Sequence, residues 1–157
     1  MDGGRRNVGS NITVHKRRTI PTDERQTSLL ITCNTNKYIT EEDALYNIFN
    51  EAIVDLFSDP TLFLFDRNTG LSYNPTTPPD VDIYFEHGDR FGKYHSHILV
   101  RIKHPNSYKV MFDGRAGRNG GRARPFLLER LGYNPYVFSR RVSDSFDVMR
   151  YGEKHLS

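Results

Sequence analysis

Two stretches of the chain alternate apolar and polar residues with a period of two, the mark of strands covered on one face. Val81, Ile83 and Phe85 alternate with Asp82, Tyr84 and Glu86, while Ile98, Val100 and Ile102 stand opposite His95, His97, Leu99 and Arg101. A glycine-containing turn from Gly88 to Gly92 separates them, so the pattern predicts a β-hairpin. If both apolar sets enter one core, Glu86, His95 and His97 must share the other face. Ser28 to Asn36 is also strand-like, with Leu29, Ile31 and Cys33 on its apolar side. After Thr40 the period changes. Leu45, Ile48, Phe49, Ala52, Ile53 and Leu56 line one face of a helix that covers the sheet. Thr40 and Asp43 are spaced as a capping box, and Pro60 lies just past its end.

The rest of the chain completes the order. Leu62 to Phe65 predicts a short strand, Asp66 to Gly70 a turn, and Asn74 to Pro79 a stiff loop. Asn106 to Phe112 reads as the start of a helix, and Asp113 to Arg124, with four glycines and four arginines, as a mobile loop. Pro125 to Leu131 predicts a short helix ending at Gly132, and Tyr136 to Val142 a strand. A last helix, capped by Ser143 or Ser145, runs through Tyr151 and Lys154. Residues 1–27 show no periodicity and are expected to form a flexible basic tail, leaving 28–157 as the folded domain. The expected class is α+β: an antiparallel-rich sheet of about five strands, helices on one face and the other open, of ferredoxin-like or RRM-like form.

Composition changes this picture in three places. A chain of 157 residues is one ordinary domain. Its net charge of +3 is segregated: Arg101 to Arg124 has seven bases against Asp113 alone, whereas Glu41 to Asp55 has five acids and no base. That separation favours a polyanion on one face. The single cysteine, Cys33, excludes an internal disulfide and agrees with a reducing, intracellular compartment. No apolar run approaches the ~20 residues a membrane helix needs.

The hairpin carries the chemistry. Two imidazoles at i, i+2 on a strand, joined by a carboxylate from its neighbour, are a suitable donor set for a divalent metal. Tyr151 and Lys154 would lie on one face of the final helix. With ITCNTNK (Ile31 to Lys37), the Glu86, His95 and His97 set, and Tyr-Gly-Glu-Lys (Tyr151 to Lys154), the chain resembles the single-tyrosine HUH endonucleases. That superfamily comprises rolling-circle replication initiators, relaxases and related transposases, and the resemblance spans roughly 28–157.

The resemblance implies Glu86, His95 and His97 as ligands of Mg²⁺ or Mn²⁺, Tyr151 as the nucleophile and Lys154 as its cationic helper. The expected activity is nicking and joining of single-stranded DNA, or of a hairpin at an origin or element end, through a 5′-phosphotyrosine. Tyr84, Arg101, Arg115, Arg118, Arg122 and Arg124 are the expected DNA contacts. The resemblance leaves open an isolated nuclease or the N-terminal part of a longer initiator with a helicase domain after Ser157. It implies the host nucleus if the source is a eukaryotic virus or element. One residue departs from the family pattern: Ser96 stands between the histidines, where a hydrophobic residue is usual. Alternation puts Ser96 on the packed face, where its hydroxyl needs a hydrogen-bond partner. The rival expectation is a non-catalytic module that binds single-stranded nucleic acid on an RRM-like sheet.

Overall fold

The computed structural model describes residues 9–15, 28–66, 78–87, 93–102, 108–110 and 122–142. Seven strands and two α-helices follow in the order β1 (Asn11–His15), β2 (Ser28–Asn34), α1 (Ala44–Ser58), β3 (Leu64–Asp66), β4 (Asp80–His87), β5 (Tyr94–Arg101), β6 (Tyr108–Val110), α2 (Ala123–Leu131) and β7 (Tyr136–Val142). Five strands form one sheet in the order β1-β4-β5-β2-β7, and β3 pairs with β6 in a separate two-stranded sheet. All pairings in the large sheet are antiparallel except β1 with β4, which is parallel. The fold is α+β, as expected.

The core confirms which face is apolar. Leu29, Ile31 and Cys33 of β2, Val81 and Ile83 of β4, and Ile98 and Val100 of β5 are buried together with α1 and α2. Helix α1 contributes Phe49, Ala52, Ile53, Leu56 and Phe57; α2 contributes Ala123 and Leu127. Both helices therefore lie on the same side of the sheet. Ile48, expected to face inward, is 43% exposed, and Phe57, which the periodicity did not single out, is fully buried. The inward stripe turns slightly past Ile48 because Phe49 seats its ring between Tyr94 and Phe85, with centroids 5.7 and 6.2 Å away.

The helix ends follow local rules. Asp43 Oδ2 accepts from the Thr40 backbone N–H at 2.6 Å, and Thr40 Oγ1 accepts from Glu42 N–H at 3.4 Å. The expected capping box does not form: the two residues close a turn ahead of a helix that begins at Ala44, whose N-cap is Asp43 with no side-chain capping bond. Helix α2 ends on Gly132, whose φ of 82° lets its N–H reach the Leu128 carbonyl at 2.8 Å. Among described helices, none is long and apolar enough to cross a membrane.

Three expectations need correction. Asn11–His15 is not tail but the edge strand β1, held by five register pairs along β4. Tyr108–Val110 is a strand paired with β3, not the start of a helix. Leu62 closes a 3-10 turn from Pro60, so the strand after α1 starts only at Leu64. In the first two, a partner distant in sequence decides the backbone, and no local period reports it. The final helix expected through Tyr151 and Lys154 lies outside the described residues.

Candidate metal centre

The hairpin register places the three ligand candidates. Glu86 pairs with His95 and Tyr84 with His97 across β4 and β5, while Phe85 and Ser96 point the other way. Directly paired residues share a face, so Glu86, His95 and His97 converge on the side of the sheet away from the helices. Their ligand atoms all lie within 4.8 Å of one another, and all three residues are buried. Glu86 Oε1 is 2.9 Å from His95 Nε2 and 3.0 Å from His97 Nε2. This group can hold a metal ion.

The outer nitrogens of both rings are fixed by neighbours. His95 Nδ1 donates to the Lys93 carbonyl at 3.0 Å. A carbonyl only accepts, so Nδ1 carries the hydrogen and Nε2 of the neutral ring presents a lone pair to Glu86. His97 Nδ1 is 3.1 Å from Thr32 Oγ1, which faces it across β2 and β5. Partners of this kind orient a ligating imidazole. Thr32→Val, which keeps the shape and removes the hydroxyl, is expected to weaken Mn²⁺ binding about 10- to 100-fold in a calorimetric titration.

Burial raises the Glu86 carboxyl, but hydrogen bonds from His95 and His97, and then the charges of those rings, outweigh it. The group is held well below the usual carboxylate range. Its folded-state value is depressed, so the unfolded chain binds the extra proton first. Stability from this group is complete above the ordinary value of 4.5 and is lost as pH falls below it. Without metal, the urea midpoint is expected to drop below about pH 4.5, with Glu86→Gln flattening that slope.

Ser96 satisfies the condition set for it. Its hydroxyl donates to the Tyr84 carbonyl at 3.0 Å, and the residue is fully buried. The hydroxyl thus replaces apolar packing with a bond to the neighbouring strand. Cys33 is also fully buried, and burial pushes its thiol up, against a smaller opposing effect of Arg124. It is an inert core group.

The predicted DNA contacts are dispersed. Tyr84 is only 5% exposed and its ring lies flat on His15, centroids 4.4 Å apart and planes at 7°. Burial first, and the Asp82 charge second, raise its phenol, with Arg101 opposing. Arg101 Nη2 lies 2.6 Å from Asp82 Oδ2, and His15 Nε2 lies 2.7 Å from Asp82 Oδ1. Arg122 is exposed at the foot of α2. Arg124 reaches the Pro135 carbonyl at 3.5 Å and acts on Cys33, which places it beside the helix-covered side of β2. Tyr151, Lys154, Arg115 and Arg118 lie outside the described residues.

The expected open face is therefore largely closed. Leu30, Thr32, Asp82, Tyr84, His97 and Leu99 are all at or below 6% exposure. Asp82 binds His15 through one carboxylate oxygen and Arg101 through the other. Sequence reading missed Thr32, His15 and Asp82 as neighbours of the site. Thr32 and Asp82 are in the right phase of their strands, but only the strand register brings them to it. Comparison of the chain with protein-family models, with curated proteins and with solved structures returned no match.

Proposed function

We propose that this protein is a metal-dependent nuclease that nicks and rejoins single-stranded DNA through a tyrosine nucleophile. The observation that carries this reading is the buried carboxylate shared by two imidazoles on adjacent strands, with one outer nitrogen donating to a carbonyl and the other facing a hydroxyl. Three protein donors leave further coordination positions for substrate oxygens, the requirement of a catalytic rather than a closed structural centre. The β2-α1-β4-β5-α2-β7 succession, with β2 and β5 central, also agrees with a ferredoxin-like unit of the kind the sequence resemblance implies.

When bound, a divalent ion supplies Lewis acidity toward the non-bridging oxygens of a phosphodiester. Mg²⁺ and Mn²⁺ are the candidates; the two imidazoles favour the later metal and availability the earlier one. Glu86, His95 and His97 would hold that ion. Tyr151 attacks phosphorus; its O–P bond forms as the P–O3′ bond breaks. The phenol gives up its proton and the departing 3′-oxygen gains one. Lys154 places positive charge beside the crowded phosphorus. The linkage stores the diester, so a 3′-hydroxyl can reverse the step and join strands.

The test uses end-labelled single-stranded and hairpin oligonucleotides with Mn²⁺, resolved on a denaturing gel. A protein–DNA adduct is expected from the native chain and none from Tyr151→Phe. Undiminished DNA binding with no adduct across a randomised library would overturn the nuclease and favour the non-catalytic binding module.

A further inference from the structure

The site-bearing face opens at one end. Tyr136, Asn34, His95 and Glu86 occupy directly paired positions on β7, β2, β5 and β4. Their side chains therefore leave the same face in one row across four strands. Neighbouring strands lie about 4.8 Å apart, so Tyr136 stands roughly 10 Å from His95, two strands along. Exposure rises along this row from 8% at Glu86 and His95 to 58% at Tyr136. In this row buried ligands and a well-exposed ring share the face.

The rim at this end carries rings and cations together. Tyr38, 64% exposed, has Lys93 Nζ 5.8 Å from its ring centroid. Lys37 Nζ lies 4.7 Å from the centroid of Tyr133, whose hydroxyl donates to the Thr35 carbonyl at 3.0 Å. Among the described residues neither ammonium is paired with a carboxylate. Lys93 is also joined to the centre, since its carbonyl holds His95 Nδ1. Glu41 and Glu42 share a shallow hollow with Tyr38 and bound the rim there, which directs an anion toward Lys37 and Tyr136 and away from α1.

Exposed rings at a sheet end, flanked by unneutralised lysines, match the needs of single-stranded nucleic acid: π faces for bases and cations for phosphates. A duplex offers no free base faces to such a row. We infer that this row and its rim bind single-stranded DNA, one base stacking on Tyr136 and flanking phosphates meeting Lys37 and Lys93. This deepens the cleavage reading and rests on it, since the scissile phosphate would occupy the Glu86–His95 end of the same row. It also moves the DNA path from Tyr84, which is 5% exposed, to Tyr136, which is 58% exposed.

The experiment is fluorescence anisotropy of fluorescein-labelled oligothymidine with the full chain in EDTA, so that binding is read without cleavage. Tyr136→Ala is expected to weaken binding about tenfold or more, and Tyr136→Phe, which keeps the ring, to stay within about twofold. Lys37→Ala with Lys93→Ala should lower the slope of log affinity against log salt by about 1.4. Circular dichroism melts identify any variant that fails to fold; Lys37 and Tyr136 are exposed and Lys93 is half-buried. Native-like binding by Tyr136→Ala, or no binding by the native protein, overturns the inference. Tyr136-dependent binding without a Tyr151 adduct leaves it standing and removes the nuclease. An adduct formed with binding indifferent to Tyr136 does the reverse.

Discussion

His97→Ala is expected to abolish the response of this protein to divalent metal. At Mn²⁺ about 100-fold above Kd, the native chain gains roughly 2.7 kcal/mol. For a domain of this size that raises Tm by about 5–10 °C. The variant keeps Glu86 and His95 but loses one of three donors, and its metal affinity should fall by more than the about 10- to 100-fold typical of losing a supporting group. A thermal melt with and without Mn²⁺ reads the loss directly. An undiminished metal shift in the variant would mean that the ion sits elsewhere, and the proposed centre would be wrong. Strand cleavage, where present in the native protein, should disappear in parallel.

Phe49→Ala should cost about 3–5 kcal/mol, a large share of the roughly 5–15 kcal/mol that holds a domain folded. The Phe49 ring is fully buried between α1 and the sheet, edge-on to both Tyr94 and Phe85. Those two residues belong to β4 and β5, the strands that carry the ligands on their other face. Its neighbour provides the contrast. Ile48→Ala removes a side chain that is 43% exposed and should change stability by no more than about 0.5 kcal/mol. Urea denaturation of the pair distinguishes the stripe seen in the structure from the one the periodicity alone draws. Equal costs would place Ile48 in the core after all.

Much of the centre was legible in the sequence because it sits on a hairpin. Alternation assigns each residue a face, and one short connection leaves few registers, so Glu86, His95 and His97 fall together. The strand at Tyr136–Val142 and the glycine stop of α2 were legible for similarly local reasons. β1 was not. Asn11 to His15 does alternate, but five residues inside a polar stretch carry too weak a signal, and its partner β4 lies some seventy positions away in the register pair Asn11 with Asp80. β6 fails similarly, since Tyr108–Val110 is a strand only through β3. Two of the expected DNA contacts have partners that the sequence does not show. Charge counted along the chain does not reveal that Arg101 is already paired with Asp82, or that Tyr84 already stacks on His15.

The sequence by itself determined the class of the fold, the hairpin, the face on which two imidazoles and a carboxylate meet, and the need of Ser96 for a partner. These follow from periods of two and 3.6, which are properties of the backbone and not of distant contacts. Only the tertiary structure decided what surrounds that face. It set Thr32 behind His97, paired His15 with Asp82, and aligned Tyr136 with Glu86 across four strands. Each of those outcomes depends on the order and register of strands far apart in the chain, and pairing between distant segments is set by the packing of the whole sheet against its helices.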